Sequence, residues 1–174
     1  DPALVIECLN GYRLKEKLPS NLGEFTTPIG VPEIVREGQD ITVVSYGSTF
    51  NLCVIAAEQL SEAGISCELI DVQTLLPFDI NHTIVESLKK TNKIIFIDED
   101  VSGGGTAFMM QQVITEQKGY YYLDSKPQTL TAKDHRPAYG SDGDYFSKPN
   151  TENIIDSIYS IMNEYDPKSF PSIY

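Results

Sequence analysis

The residues with the most evident chemical potential are three glycines, Gly103-Gly104-Gly105, set between an apolar run ending in an acidic triplet and a helical pattern. Strand, glycine turn and helix in that order can present free N–H groups at a helix N-terminus to a phosphate. The GxGxxG pattern is incomplete, because position 108 is Phe. Asp98, Glu99 and Asp100 stand at the mouth of the turn, where carboxylates repel an anion. A tight turn with close helix packing is therefore the preferred reading, and nucleotide or anion binding at Gly103–Gly105 is the alternative.

The triplet itself offers hard oxygen ligands, which suit magnesium or calcium. Adjacent residues of an extended segment point alternately, so the three do not converge unaided, and a solvated strand end is expected. Asp142-Gly143-Asp144 lacks further EF-hand spacing and reads as a turn. A hydrolase triad finds no GxSxG elbow, and His82 and His135 are the histidines available. His82 falls in the first turn of a predicted helix, exposed. His135 lies in the polar cluster Lys133-Asp134-His135-Arg136-Pro137 on an irregular segment, which makes it the better functional candidate. Cys8, Cys53 and Cys67 form no CxxC pair, so neither a disulfide framework nor a zinc ribbon is indicated. Cys53 and Cys67 read as small core residues, and a reducing cytoplasm fits this usage. No catalytic, cofactor-binding or metal-ligating residue is assigned.

The remaining bounds come from charge and size. A net charge of -12 argues against nucleic acid and against acidic membrane surfaces as partners. No apolar run reaches the roughly 20 residues of a membrane span. At 174 residues, one substantial core is expected. Asp1-Pro2-Ala3 shows neither an initiator Met nor a signal peptide, which reads as a piece of a longer chain.

The elements that must position these residues alternate between strand and helix, the signature of a largely parallel sheet with crossover helices. Ile41 to Ser45 is a strand. Ser48 caps a helix carrying Leu52, Ile55, Ala56, Leu60 and Ala63, which Gly64 ends. Cys67 to Asp71 is the next strand. Asp79 caps a helix through Ile80, Ile84, Val85 and Leu88, with Asn92 as a left-handed stop. Ile94 to Ile97 is a central buried strand. A helix runs from Thr106 to about Lys118, stopped by Gly119, and Gln128 to Ala132 is a weaker strand. Lys133 to Asn150 is a long ordered loop, and Ile154 to Tyr165 an amphipathic helix. Residues 1–37, with a strand candidate at Ala3 to Glu7, are expected to be an arm lying across a neighbour.

Several of these stretches resemble the C-terminal domain of the β chain of 2-oxo acid dehydrogenases, the decarboxylating component, within the transketolase family. Arg36 to Thr49, REGQDITVVSYGST, resembles that family's REGxDxTxxxYGS, and Asp71 to Asp79, DVQTLLPFD, is similar to its DLRTLxPLD turn. Ser102-Gly103-Gly104 resembles TGG, Asp134 to Tyr139 resembles DxPxPY, and Asp1-Pro2 matches the start of the connecting region. The resemblance implies an α/β fold: a three-layer α/β/α sandwich with a five-stranded, mostly parallel sheet and one antiparallel strand. It divides the chain into an arm (1–37) from a missing pyrimidine-binding domain, the α/β domain (38–166) and a tail (167–174).

The resemblance also implies a parent oxidoreductase that binds thiamine diphosphate and magnesium between two other domains, decarboxylates a 2-oxo acid and passes the acyl group to lipoyl. Gly143-Asp144 is followed by Tyr145 and by no adjacent Asn pair, so the magnesium–diphosphate motif is missing. The piece alone is therefore expected to bind no cofactor and to be inactive. Its implied partners are a second copy of the same domain, the pyrimidine- and diphosphate-binding domains, and the subunit-binding domain of the lipoyl acyltransferase. Asp134, His135, Tyr139 and Tyr174 are the candidate docking residues. Gln73 stands where the family usually has Arg, and Phe108 where it often has Glu.

Overall fold

Short β-branched runs separated by amphipathic helices can bury both kinds of face only by stacking helices on a sheet. The computed structural model describes residues 2–15, 17–137 and 139–172, and it has that architecture. The strands are β1 (Glu33–Arg36), β2 (Ile41–Ser45), β3 (Cys67–Asp71), β4 (Ile94–Val101) and β5 (Gln128–Ala132). They form one sheet in the order β1-β3-β2-β4-β5, in which β1 is antiparallel to β3 and the other pairs are parallel. The helices are α1 (Gly47–Glu62), α2 (Thr83–Thr91), α3 (Gly105–Met110, continued by a π-helical turn over Gln111–Glu116), α4 (Ser141–Ser147) and α5 (Thr151–Tyr165).

All five residues of β2 are buried, as a strand covered on both faces requires. Alternate residues serve opposite layers. Val43, Leu69, Ile95 and Ile97 pack with Phe50, Cys53 and Leu60 of α1 and with Ile154, Ile158 and Ile161 of α5. Val44, Ile70 and Phe96 pack with Ile84, Val85 and Leu88 of α2 and with Met109 and Val113 on the other face. The result is the three-layer sandwich expected from the sequence.

The differences from expectation are local. Ala3 to Glu7 is not a strand: it has no regular secondary structure, its apolar side chains are exposed, and a 3-10 turn at Leu9–Arg13 follows. The one antiparallel strand expected of the sheet is β1, which lies inside the segment read as an arm. Its Pro-rich approach hid it, and an edge strand tolerates Pro32 just before it. Helix α1 starts from an extended Tyr46 and not from Ser48, with no side-chain cap. Asp79 does cap α2, accepting from Thr83 N at 2.7 Å and Ile84 N at 3.1 Å, but the helix begins at Thr83 because His82 is left-handed. Asn92 is left-handed as expected, whereas the third helix stops at left-handed Lys118 and not at Gly119. The middle strand of the sheet is β2, with β4 beside it. The loop after β5 contains α4, which its glycines and polar residues had concealed.

One buried charge holds the amino ends of the strands. Glu68 in β3 is wholly buried, accepts from Gly38 N at 3.1 Å and pairs with Lys90 at the end of α2, which also meets Glu37 at 2.7 Å. Removing the cation strands a buried carboxylate, and the exposure of Lys90 moderates the loss. Lys90→Ala is expected to lower unfolding free energy by roughly 1–3 kcal/mol in urea titrations. An unchanged midpoint and slope would contradict this account of Glu68.

Candidate functional site

From β2 the chain crosses through α1 to β3 on one side, while β4 lies on the other, so the carboxyl ends of β2 and β4 flank the switch point where such folds form a crevice. Tyr46 and Asp98 meet there. The Tyr46 hydroxyl donates to Asp98 Oδ2 at 2.5 Å, and Glu99 N donates to Oδ1 at 2.7 Å. Asp98 is 4% exposed. Burial pushes its carboxyl above the usual carboxylate range, against the stabilising bond from Tyr46. Burial, then the bond to Asp98, likewise raises the Tyr46 phenol.

The glycine turn closes over this pair. A Cβ on residue 105 would lie 2.5 Å from the Tyr46 hydroxyl and 2.9 Å from Asp98 Oδ2, and one on residue 104 would collide with the Asp100 carboxylate. The space an anion would need is filled by the chain's own oxygens, so the geometry does not support the anion-binding alternative. The acidic triplet diverges as the alternation of an extended strand requires. Asp98 turns inward, Glu99 pairs with Lys148 at 3.0 Å, and Asp100 accepts from Val101 N at 2.8 Å. The expected solvated strand end is thus corrected at Asp98, which is buried in the seam. Among the described residues no cluster of three His, Cys, Asp or Glu side chains is arranged to hold a metal.

Asp134, His135 and Tyr139 are exposed on the loop after β5. His135 Nδ1 lies 2.9 Å from Arg136 O, and its ring centre is 5.9 Å from that of Phe146 in α4. Lys133 places its ammonium 3.3 Å above the Phe146 ring, and Arg136 bonds the Tyr139 hydroxyl. Helix α4 is tied to the strand end through Lys133 N to Ser147 O at 2.8 Å. A shallow cleft of about 250 Å³ lies between Lys133, Phe146 and Lys148 on one side and Asn153, Asp156 and Ser157 of α5 on the other. Tyr174 lies outside the described residues, as does Asp1.

Residues that sequence reasoning missed stand on α5 and the tail. Asn163 Nδ2 donates to Phe170 O at 2.6 Å and the Tyr159 hydroxyl to Pro171 O at 3.0 Å, turning the tail back along the helix toward the loop. The one available signal was Phe170, an aromatic residue among polar and proline neighbours. Of the departures from the family pattern, Gln73 bonds Glu33 at 3.0 Å, and Phe108 makes an edge contact with Phe78 at 5.7 Å; both stay within the domain. His82 is exposed before α2.

Tyr46→Phe removes the donor from a buried carboxylate and is expected to lower stability by roughly 1–3 kcal/mol near neutral pH. Asp98 holds its proton more tightly in the folded chain, so its favourable contribution is full in acid and is lost as pH rises through the folded pKa. Asp98→Asn should therefore equal or exceed the parent near pH 7, with that advantage shrinking below about pH 4. Thermal melts across pH check both, and a large loss in Asp98→Asn at neutral pH would contradict the assignment.

The family model described as transketolase, C-terminal domain, matches residues 30–154, reaching back over β1. The chain is 32% identical to the pyruvate dehydrogenase E1 component subunit beta of Mesostigma viride, over 93% of this chain and 48% of that one. It is 36% identical to the 2-oxoisovalerate dehydrogenase subunit beta of Bacillus subtilis (strain 168), over 77% of this chain and 40% of that one. A solved split gene transketolase, an inactive beta4 tetramer, superposes with a TM-score of 0.66 over 80% of this chain and 45% of its own, at 18% identity, which bears on the fold alone. The chain spans less than half the length of each of these relatives. Sheet order, glycine turn and sequence similarity agree that the chain belongs to the transketolase C-terminal domain family, in the company of the β subunits of 2-oxo acid dehydrogenases.

Proposed function

We propose that this chain is the C-terminal assembly and partner-docking domain of the decarboxylating component of a 2-oxo acid dehydrogenase. The parent would carry out thiamine-dependent oxidative decarboxylation and pass the acyl group to lipoyl. The chain would pair with a second copy, buttress the pyrimidine- and diphosphate-binding domains, and receive the subunit-binding domain of the acyltransferase at Asp134, His135, Tyr139 and Tyr174. One observation carries the docking reading. Asp134, His135 and Tyr139 stand exposed on the loop after β5, whose residue Lys133 lines a cleft against α5, which leaves their polar and aromatic groups open to a partner and supports the reading.

The residues present do not fit thiamine diphosphate. The turn that could take a phosphate is filled by Asp100 and Tyr46 and edged by carboxylates. Asp144, in the place suggestive of a magnesium ligand, lies 3.8 Å from Lys148 Nζ. On this proposal the cofactor is held by the parent's other domains.

A reducing compartment, as in a cytoplasm, suits the three free thiols. Burial pushes Cys53 and Cys67 up to about 12, which makes them unreactive core residues. Among the described residues no helix is long and apolar enough to cross a membrane.

Docking is tested by titrating the chain with the subunit-binding domain of the acyltransferase that serves the Bacillus subtilis 2-oxoisovalerate dehydrogenase. Saturable binding, weakened roughly tenfold or more in Asp134→Ala, is expected. No saturable binding, or an unchanged affinity in that variant, would sink the docking assignment.

A further inference from the structure

A hydroxyl buried without a partner is costly, and Ser147 at the end of α4 carries one. The residue is 2% exposed, and its Oγ finds no hydrogen-bond partner among the described residues. Ser147 lines the cleft of about 250 Å³ between the loop after β5 and the first turns of α5. Lys133 stands beside it, its main-chain N–H donating to Ser147 O at 2.8 Å. The Lys133 ammonium rests 3.3 Å from the centre of the Phe146 ring and meets no carboxylate among the described residues, whereas Lys148 on the same wall is paired with Glu99 at 3.0 Å. One hydroxyl and one cation thus border the cleft with donors to spare.

Across the cleft, Asn153 and Ser157 lie four residues apart on one face of α5 and add an amide and a hydroxyl to the lining. Leu130 and Pro149 supply apolar surface. The volume equals that of roughly eight liquid waters, which suits a molecule of few heavy atoms. Asp156, next to Ser157 on the α5 wall, adds a negative charge that disfavours a doubly charged anion.

We propose that this cleft binds a short-chain organic carboxylate of single charge, its oxygens accepting from the Lys133 ammonium and the Ser147 hydroxyl and its alkyl part lying on Leu130 and Pro149. The site goes beyond the docking reading and does not rest on it, since it needs only residues of this chain.

The probes are butyrate, butylamine and inorganic phosphate, titrated separately into the full chain and followed by amide chemical shifts in NMR spectra. Butyrate is expected to shift the Lys133, Ser147 and Asn153 amides saturably, phosphate more weakly and butylamine not at all. Ser147→Ala deletes a hydroxyl that bonds nothing in the free chain. Its melting temperature should therefore match that of wild type, while its affinity for butyrate falls roughly three- to tenfold. Lys133→Gln should weaken butyrate at least as much. The proposal is overturned if butyrate causes no saturable shift, if butylamine or phosphate binds as tightly, or if either variant keeps wild-type affinity. A Ser147→Ala chain that melts well below wild type or fails to fold overturns it too, because the hydroxyl would then serve the fold and not a ligand.

Discussion

A sheet whose inner strands run parallel has to be covered on both faces, because each crossover returns a helix to one face or the other and both then need apolar surface. That constraint dictates this molecule. β2, β3 and β4 turn alternate residues to two helical layers, so Val43 and Val44, or Ile95 and Phe96, belong to different cores. With both faces consumed, the surfaces left for recognition are the strand ends, the two edge strands and the connecting loops. The polar residues that could have done chemistry are found at those ends, and most of them are engaged with one another.

The carboxyl ends of β2 and β4 are the instructive case. A nucleotide-binding member of this architecture keeps that crevice open and rich in N–H donors. Here it is closed by a phenol–carboxylate pair and by a turn whose glycines are demanded by steric contact with Tyr46 and Asp100. The three acidic residues beside it diverge into a buried bond, an ion pair and a local backbone turn. The crevice has become a joint between the start of α1, the end of β4 and the start of α3.

Much of this was legible in the residues themselves. Ile41–Ser45, Cys67–Asp71 and Gln128–Ala132 were read to their observed bounds, because each is a short run between turn or helix-stop residues, rich in β-branched side chains at Ile41–Ser45 and weaker at Gln128–Ala132. What escaped reading depended on partners distant in sequence. β1 is a strand because β3 offers it an edge, α4 is a short helix held by the end of β5, and Lys118 takes the left-handed conformation expected of Gly119 as the π-helical turn ends. At the candidate docking surface, Asp134 and His135 stood out as a polar cluster on a loop. The roles of Tyr159 and Asn163 did not, since on a helical pattern they are indistinguishable from ordinary half-exposed residues.

On the proposed function, this chain shapes and joins its neighbours without gripping a reactive cofactor. Isothermal titration of the chain with thiamine diphosphate in the presence of magnesium tests that most directly. No saturable heat is expected up to millimolar ligand, roughly the limit at which a weak site still registers. Stoichiometric binding that Gly104→Asp abolishes would contradict it, since the ligand would then occupy the turn that Tyr46, Asp98 and Asp100 fill.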